Sequence, residues 1–262
     1  ENYKKFETEL ILCSLLQCDK IDLYTKNQKI YKKDYLTIES YITRRIEGEP
    51  IQYILKNSYF YGRGFFVNEN VLIPRFDSEL IIDIAKQYGC MDNILDVGTG
   101  SGNLAITIAM ENIAKNIVAT DISQKKIDIA KYNKKQLSPD TKIKFIIDDF
   151  LNSKITKKFN IIISNPPYIP EKEIHNLDNL VKNNEPLNSL TDGKDGYSFY
   201  RKLALKGKRI LTGGSGRVRS FGPFLDGAKQ ISNIISQRWG VMAHQRRYYV
   251  RIPNEHRDRS SR

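Results

Sequence analysis

Apolar positions recur at helical spacing near the start of the chain. Leu10, Ile11, Cys13, Leu15 and Leu16 fall near one face of a first segment, and Ile38, Tyr41, Ile42 and Ile46 near one face of a second. Residues 1 to about 48 are therefore expected to form a small helical domain. The pattern changes between Ser58 and Pro74, where aromatic and β-branched residues flank Gly and Asn turn signals, and this predicts a hairpin linking two domains. A helix is expected from about Asp77 to Tyr88, with Pro74 and Asp77 as start signals. From Asn93 onward, short apolar runs alternate with helical ones. The runs are Ile94–Val97, Ile117–Thr120, Ile143–Ile147 and Phe159–Ser164, with helices expected over Leu104–Met110 and a Lys-rich stretch to about Gln136. Alternation of this kind predicts an α/β fold, a parallel sheet with helices on both faces.

Composition narrows the class. The chain has 262 residues, 40% hydrophobic and 27% charged, which fits one large α/β domain plus a small one and excludes collagen-like, disulfide-scaffold and disordered classes. No run approaches the roughly eighteen apolar residues of a membrane span, and the opening residues lack a signal-type apolar core. No membrane association and a cytoplasmic location are expected. The start at Glu1 rather than Met suggests that N-terminal residues are missing. Cys13, Cys18 and Cys90 match neither a zinc nor a redox spacing and read as reduced structural thiols.

The net charge of +12 invites a nucleic-acid partner, but its distribution changes that inference. Residues 1–209 carry a net +5 and residues 210–262 a net +7, and the preferred basic residue switches from Lys to Arg at the boundary. Residues 210–262 thus read as an atypical Arg-rich tail, either an appendage of a folded enzyme or a segment of altered coding origin. Nucleic acid is not an expected partner except through that tail.

Chemistry is concentrated where predicted strands end. Asp96, Gly98, Thr99, Gly100, Ser101 and Gly102 form a Gly-rich turn between a strand and a helix, where glycines let the backbone approach a ligand. Its G-x-G-x-G spacing satisfies neither the dinucleotide fingerprint nor a phosphate loop, so a nucleotide-like cofactor without a diphosphate is favoured. Asp121, ending the next strand, can accept hydrogen bonds from both hydroxyls of a ribose, and can equally cap the following helix. Asp148, Asp149 and Phe150 close the strand after that, where an acid could meet an adenine amino group and an aromatic could stack on the ring; solvated turn acids are the alternative. Asn165-Pro166-Pro167-Tyr168 follows the last run. Two prolines stop the strand and hold the backbone rigid, so the Asn165 side chain and the Pro166 carbonyl can each accept one N–H of a planar NH₂ group while Tyr168 supplies a packing face. Such a group is an amide or an exocyclic base amine. No metal site is expected.

Together these segments resemble a class I S-adenosylmethionine-dependent methyltransferase of the amino-methylating kind. More narrowly, Gly48–Ile54, Phe60-Tyr61-Gly62, Leu72–Arg75, Glu185-Pro186-Leu187 and Asp195–Arg201 are similar to the HemK/PrmC family in the same order. The resemblance implies a Rossmann-like sheet, S-adenosylmethionine as cofactor, and methyl transfer to the N5 amide of the glutamine in the Gly-Gly-Gln loop of peptide chain release factors, by a monomer. It also implies that residues 1–57 dock the protein substrate, 58–74 form the hairpin linker and 75–209 the methyltransferase domain. Gln52 and Phe76 depart mildly from the family pattern. After about Lys208 no apolar run matches the family's next strand, so the edge beside Phe159–Ser164 is expected to lack a partner, leaving the domain unstable or prone to aggregate. The alternatives are a nucleic-acid amino-methyltransferase acting on adenine N6 or cytosine N4, and a chain disabled by its altered C-terminus.

Overall fold

A computed structural model describes residues 2–137, 140–211 and 217–220. The N-terminal part holds four helices, α1 (Asn2–Leu16), α2 (Lys20–Thr25), α3 (Lys32–Ile46) and α4 (Ile51–Ile54). The two long ones are those the periodicity predicts, and the two short ones carry too few turns to leave a periodic trace. Ile11, Ile51 and Ile54 form their buried core, with Ile38, Tyr41 and Leu55 against it.

The hairpin is tighter than expected. Its strands β1 (Ser58–Phe60) and β2 (Arg63–Phe65) pair Phe60 with Arg63, and both loop residues, Tyr61 (φ +51°) and Gly62 (φ +73°), are left-handed. Two positive φ values make the turn type whose twist suits a two-residue hairpin. Residues 66–74 are irregular. A 3₁₀ turn, Phe76–Ser78, leads into α5 (Glu79–Lys86), so the regular helix starts two residues later than Asp77 suggests.

The sheet follows, with β3 (Met91–Val97), α6 (Asn103–Met110), β4 (Ala114–Asp121), α7 (Gln124–Leu137), β5 (Ile143–Ile147) and β6 (Ile161–Ser164). A second 3₁₀ turn (Glu171–Asn176), α8 (Asn179–Asn184), α9 (Leu187–Leu190), α10 (Ser198–Ile210) and β7 (Arg217–Ser220) complete the described chain. All five sheet strands are parallel, in the order β5-β4-β3-β6-β7. One core, including Ile94, Ile106, Ile117 and Ile161, lies on one face, and Leu95, Phe150, Phe159, Ile162 and Leu203 form another. This doubly wound arrangement agrees with the Rossmann-like expectation.

The expectation of an unpaired β6 edge is corrected. Phe159 bridges Leu211, and Ile161–Ser164 pair in register with Arg217–Ser220. Because Arg-Val-Arg-Ser is short and charged, it carries no apolar signal for a strand; backbone hydrogen bonding to β6 supplies the pairing instead. The remainder of the predicted Arg-rich tail lies outside the described residues.

Candidate active site

The strand registers gather the chemistry into one row. Ser164 lies beside Val97, Val97 beside Thr120, and Thr120 beside Ile146. Asn165 and Gly98, which leave the sheet next, and Asp121, the last residue of β4, therefore lie side by side at its carboxyl edge, on strands about 4.8 Å apart. The Ser164 hydroxyl donates to the Val97 carbonyl at 2.7 Å, tying the two exits together, and Asp148 N–H donates to the Asp121 carbonyl at 2.9 Å, extending the row.

Gly98, Gly100 and Gly102 all have positive φ, but they serve different ends. A Cβ at Gly98 or Gly100 would meet nothing within 4 Å, whereas at Gly102 it would lie 2.9 Å from Ile106 Cδ1 and 3.1 Å from Ala130 Cβ. The first two leave an open cradle, and Gly102 lets α6 and α7 pack closely. Asp121 braces the loop, with Oδ2 accepting Gly100 N–H and Oδ1 accepting Ser123 N–H, both at 3.1 Å. Each oxygen keeps a lone pair for a further donor. Asp121 thus serves the local helix start without being used up by it.

Asp96 is fully buried. Oδ2 accepts the Thr99 hydroxyl at 2.7 Å, while Oδ1 has no partner. Burial pushes this carboxyl up to about 7, against the Thr99 bond and with help from the Asp121 charge. Thr99 and Ser101 are buried too.

The acids after β5 divide. Asp148 has a buried Oδ2 with no partner. Asp149 accepts Leu151 N–H at 3.0 Å and Asn152 Nδ2 at 2.6 Å, as a turn acid does. The Phe150 ring is buried in the core, 5.6 Å from the Phe199 ring.

The Asn-Pro-Pro-Tyr segment is set by distant residues. Asn165 Nδ2 donates to Ser78 Oγ at 3.1 Å, which commits the amide nitrogen and leaves Oδ1 as the presented acceptor. Pro166 is buried, with Pro167 and Tyr168 half-buried. Burial raises the Tyr168 phenol, Arg75 opposing and Asp77 adding to the shift. Beyond Tyr168, Ile169 N–H donates to the Leu190 carbonyl at 2.9 Å and bridges Thr191. Gly196 (φ +79°) lies against this turn, and a Cβ there would stand 2.2 Å from the Tyr168 carbonyl oxygen. Asp192 holds its loop by accepting the N–H groups of Lys194, Gly196 and Ser198, each at 2.9 Å. Burial raises this carboxyl, but the bonds from Ser198, Gly196 and Lys194 outweigh it and keep it below the usual range.

Three buried polar side chains tie further segments together. Glu185, buried, pairs with Arg75 Nη2 at 2.5 Å and accepts Ile73 N–H at 3.3 Å. Asn133 bonds both backbone groups of Phe66 and the Ser101 carbonyl, fastening the hairpin exit to the glycine loop. Lys126, also buried, reaches Ser189 Oγ at 2.6 Å and Asn188 Oδ1 at 3.2 Å. Burial lowers its pKa against the pull of Asp121. Glu185 and Gly196 lie in family-like segments of the sequence; Asp192, Ser78, Asn133 and Lys126 carry no local signal.

A doubly wound parallel sheet with an open glycine turn, a strand-end acid and an Asn-Pro-Pro-Tyr turn at one edge is that of a class I methyltransferase, whose methyl donor is S-adenosylmethionine. The residues present fit that donor: open space over Gly98 and Gly100, and unpartnered buried acceptors on Asp96 and Asp148. Residues 75–185 match the methyltransferase small domain family, and residues 2–55 match the PrmC N-terminal domain. A release factor glutamine methyltransferase of Bacillus cereus is 37% identical over 204 residues, covering 74% of this chain and 71% of that one. Its counterpart in Clostridium acetobutylicum is 32% identical over 252 residues, covering 94% and 88%, so similarity to that relative continues into residues 210–262. Among solved structures, a Pyrococcus furiosus methyltransferase shares the fold with a TM-score of 0.52 at 17% identity, over 76% of this chain and 87% of that one. The chain belongs to the release factor glutamine methyltransferase family.

Proposed function

We infer that this enzyme transfers a methyl group from S-adenosylmethionine to the side-chain amide nitrogen of the glutamine in the Gly-Gly-Gln motif of a peptide chain release factor. The observation that carries this reading is the register row, in which the amide-holding Asn165 leaves the sheet beside the donor cradle at Gly98. Family membership supports the release factor over a nucleic acid. When bound, S-adenosylmethionine supplies an electrophilic methyl group on a sulfonium. Asp96 and the turn Gly98, Thr99, Gly100, Ser101, Gly102 would hold the donor, Asp121 its ribose, and Asp148 would border the adenine, with Asp149 engaged in its own turn and the Phe150 ring packed in the core instead of stacking on the base.

An amide nitrogen is a weak nucleophile, because its lone pair is delocalised into the carbonyl. The chain's contribution is therefore orientation more than basicity. Asn165 Oδ1 and the Pro166 carbonyl accept the two N–H groups, fixing the nitrogen toward the donor, and Pro167 and Tyr168 wall the pocket. Ser78 keeps Asn165 from rotating its amine into the acceptor position. In this reading residues 1–57 dock the release factor, 58–74 link, and 75–209 carry out the transfer, in a cytoplasmic monomer. No helix among the described residues is long and apolar enough to cross a membrane.

Labelled S-adenosylmethionine incubated with intact release factor, and in parallel with DNA and RNA, tests the reading. The expected mark is one methyl on the Gly-Gly-Gln glutamine by mass spectrometry, lost in Asn165→Ala. Methyl on nucleic acid alone would overturn it.

A further inference from the structure

The end of α1 brings two thiols together. Gln17 is left-handed at φ +51°, and Cys18 N–H donates to the Cys13 carbonyl at 3.1 Å. A hydrogen bond reaching five residues back across a left-handed residue is the Schellman closure, which places the side chains of its first and last residues against each other. Here those residues are free, half-buried cysteines. A disulfide forms with little backbone movement when two Cα atoms lie about 4.4–6.8 Å apart, and the closure folds Cys18 back beside the turn that carries Cys13. The next residue, Asp19, caps α2 by accepting Asp22 N–H at 2.7 Å. The thiols thus stand at the corner between two helices, which Glu9 also spans through Tyr24 at 2.5 Å and Lys20 at 2.6 Å.

We propose that Cys13 and Cys18 form a thiol–disulfide site that reacts with low-molecular-weight disulfides and locks the corner between α1 and α2. The Cys18 thiolate attacks one sulfur of the disulfide, forming a mixed disulfide and releasing one thiolate. Cys13, its proton given to water, then attacks Cys18 Sγ, breaks the mixed bond and releases the second thiolate. The two cysteines lose two electrons and two protons, and the small disulfide is reduced to two thiols. Burial, and after it the neighbouring Cys18, push the Cys13 thiol up, which leaves less Cys13 thiolate and disfavours Cys13 as the first attacker.

The test incubates the full chain with oxidised glutathione, quenches with acid, alkylates and maps the peptides. The expected product is two hydrogens lighter, linked between Cys13 and Cys18, with Cys90 outside the link, and reversed by dithiothreitol. Ring closure is expected at least about tenfold faster in the folded chain than in the chain unfolded in urea, because the turn preorganises the pair. The oxidised chain should melt higher than the reduced one, with no such shift in Cys13→Ser. Equal closure rates in folded and unfolded chain, or separate glutathione adducts on Cys13 and Cys18 without a link, would overturn the proposal.

Discussion

Asp96 Oδ1 has no partner, and burial holds its carboxyl at about 7. A cationic donor bound nearby favours the carboxylate, so affinity for S-adenosylmethionine is expected to rise with pH through about 7 and to level off above it. Titration calorimetry across that range checks this; a flat profile contradicts it. The same group makes an opposite contribution to stability. Its folded pKa lies above the ordinary carboxylate range, so ionisation costs the unligated fold progressively as pH climbs from about 4 to about 7. Asp96→Asn should therefore raise the unligated melting midpoint at about pH 8, but leave it little changed near pH 4. The positions of Asp121 and Asn165 at strand ends could be read from the chain because each follows a short apolar run. Ser78 and Asn133 could not, because their partners lie 87 and 67 residues away and meet only in the folded sheet. The thiol pair was hidden for a different reason: a left-handed glutamine, rather than a glycine, makes its turn.

The element that most directly presents the amide-holding loop is the turn at 192–198, because Gly196 abuts the Tyr168 carbonyl. Gly196→Ala would place a Cβ 2.2 Å from that oxygen and strain a φ of +79°. Methyl transfer is expected to fall by about 100-fold, the cost of a small misplacement of reacting groups, while donor affinity changes little. Comparing steady-state rates with donor titrations checks this, and unchanged turnover would show that the turn does not position Tyr168. Glu185 braces the segment that leads into α5, through Arg75 and the Ile73 N–H. Its side chain is 1% exposed and paired with Arg75, and removing one partner of a buried pair typically costs about 3–5 kcal/mol. Arg75 is partly exposed, so Glu185→Ala is expected at the low end of that range in urea unfolding. At this scale the alternation of apolar runs announced the parallel sheet. It missed β7, since Arg217–Ser220 is a strand by backbone pairing and not by apolar content.

Over the whole molecule, the sheet order β5-β4-β3-β6-β7 puts the glycine turn after β3 and Asn165 after β6, adjacent strands near its centre. Pairing on both sides makes β6 a stiff base for Asn165. A chain ending at Leu211 would expose that edge and is expected to aggregate more readily than the full chain, as light scattering during heating would show. The account's central claim is that neighbouring strand exits divide the work, with one holding the donor and the other orienting the amide. The most direct test measures Asn165→Ala twice, by S-adenosylmethionine titration and by methyl transfer to the intact release factor. The account predicts donor affinity within a few-fold of the parent and a loss of transfer of about 100-fold or more. Transfer that persists, or affinity and transfer that fall together, would contradict it.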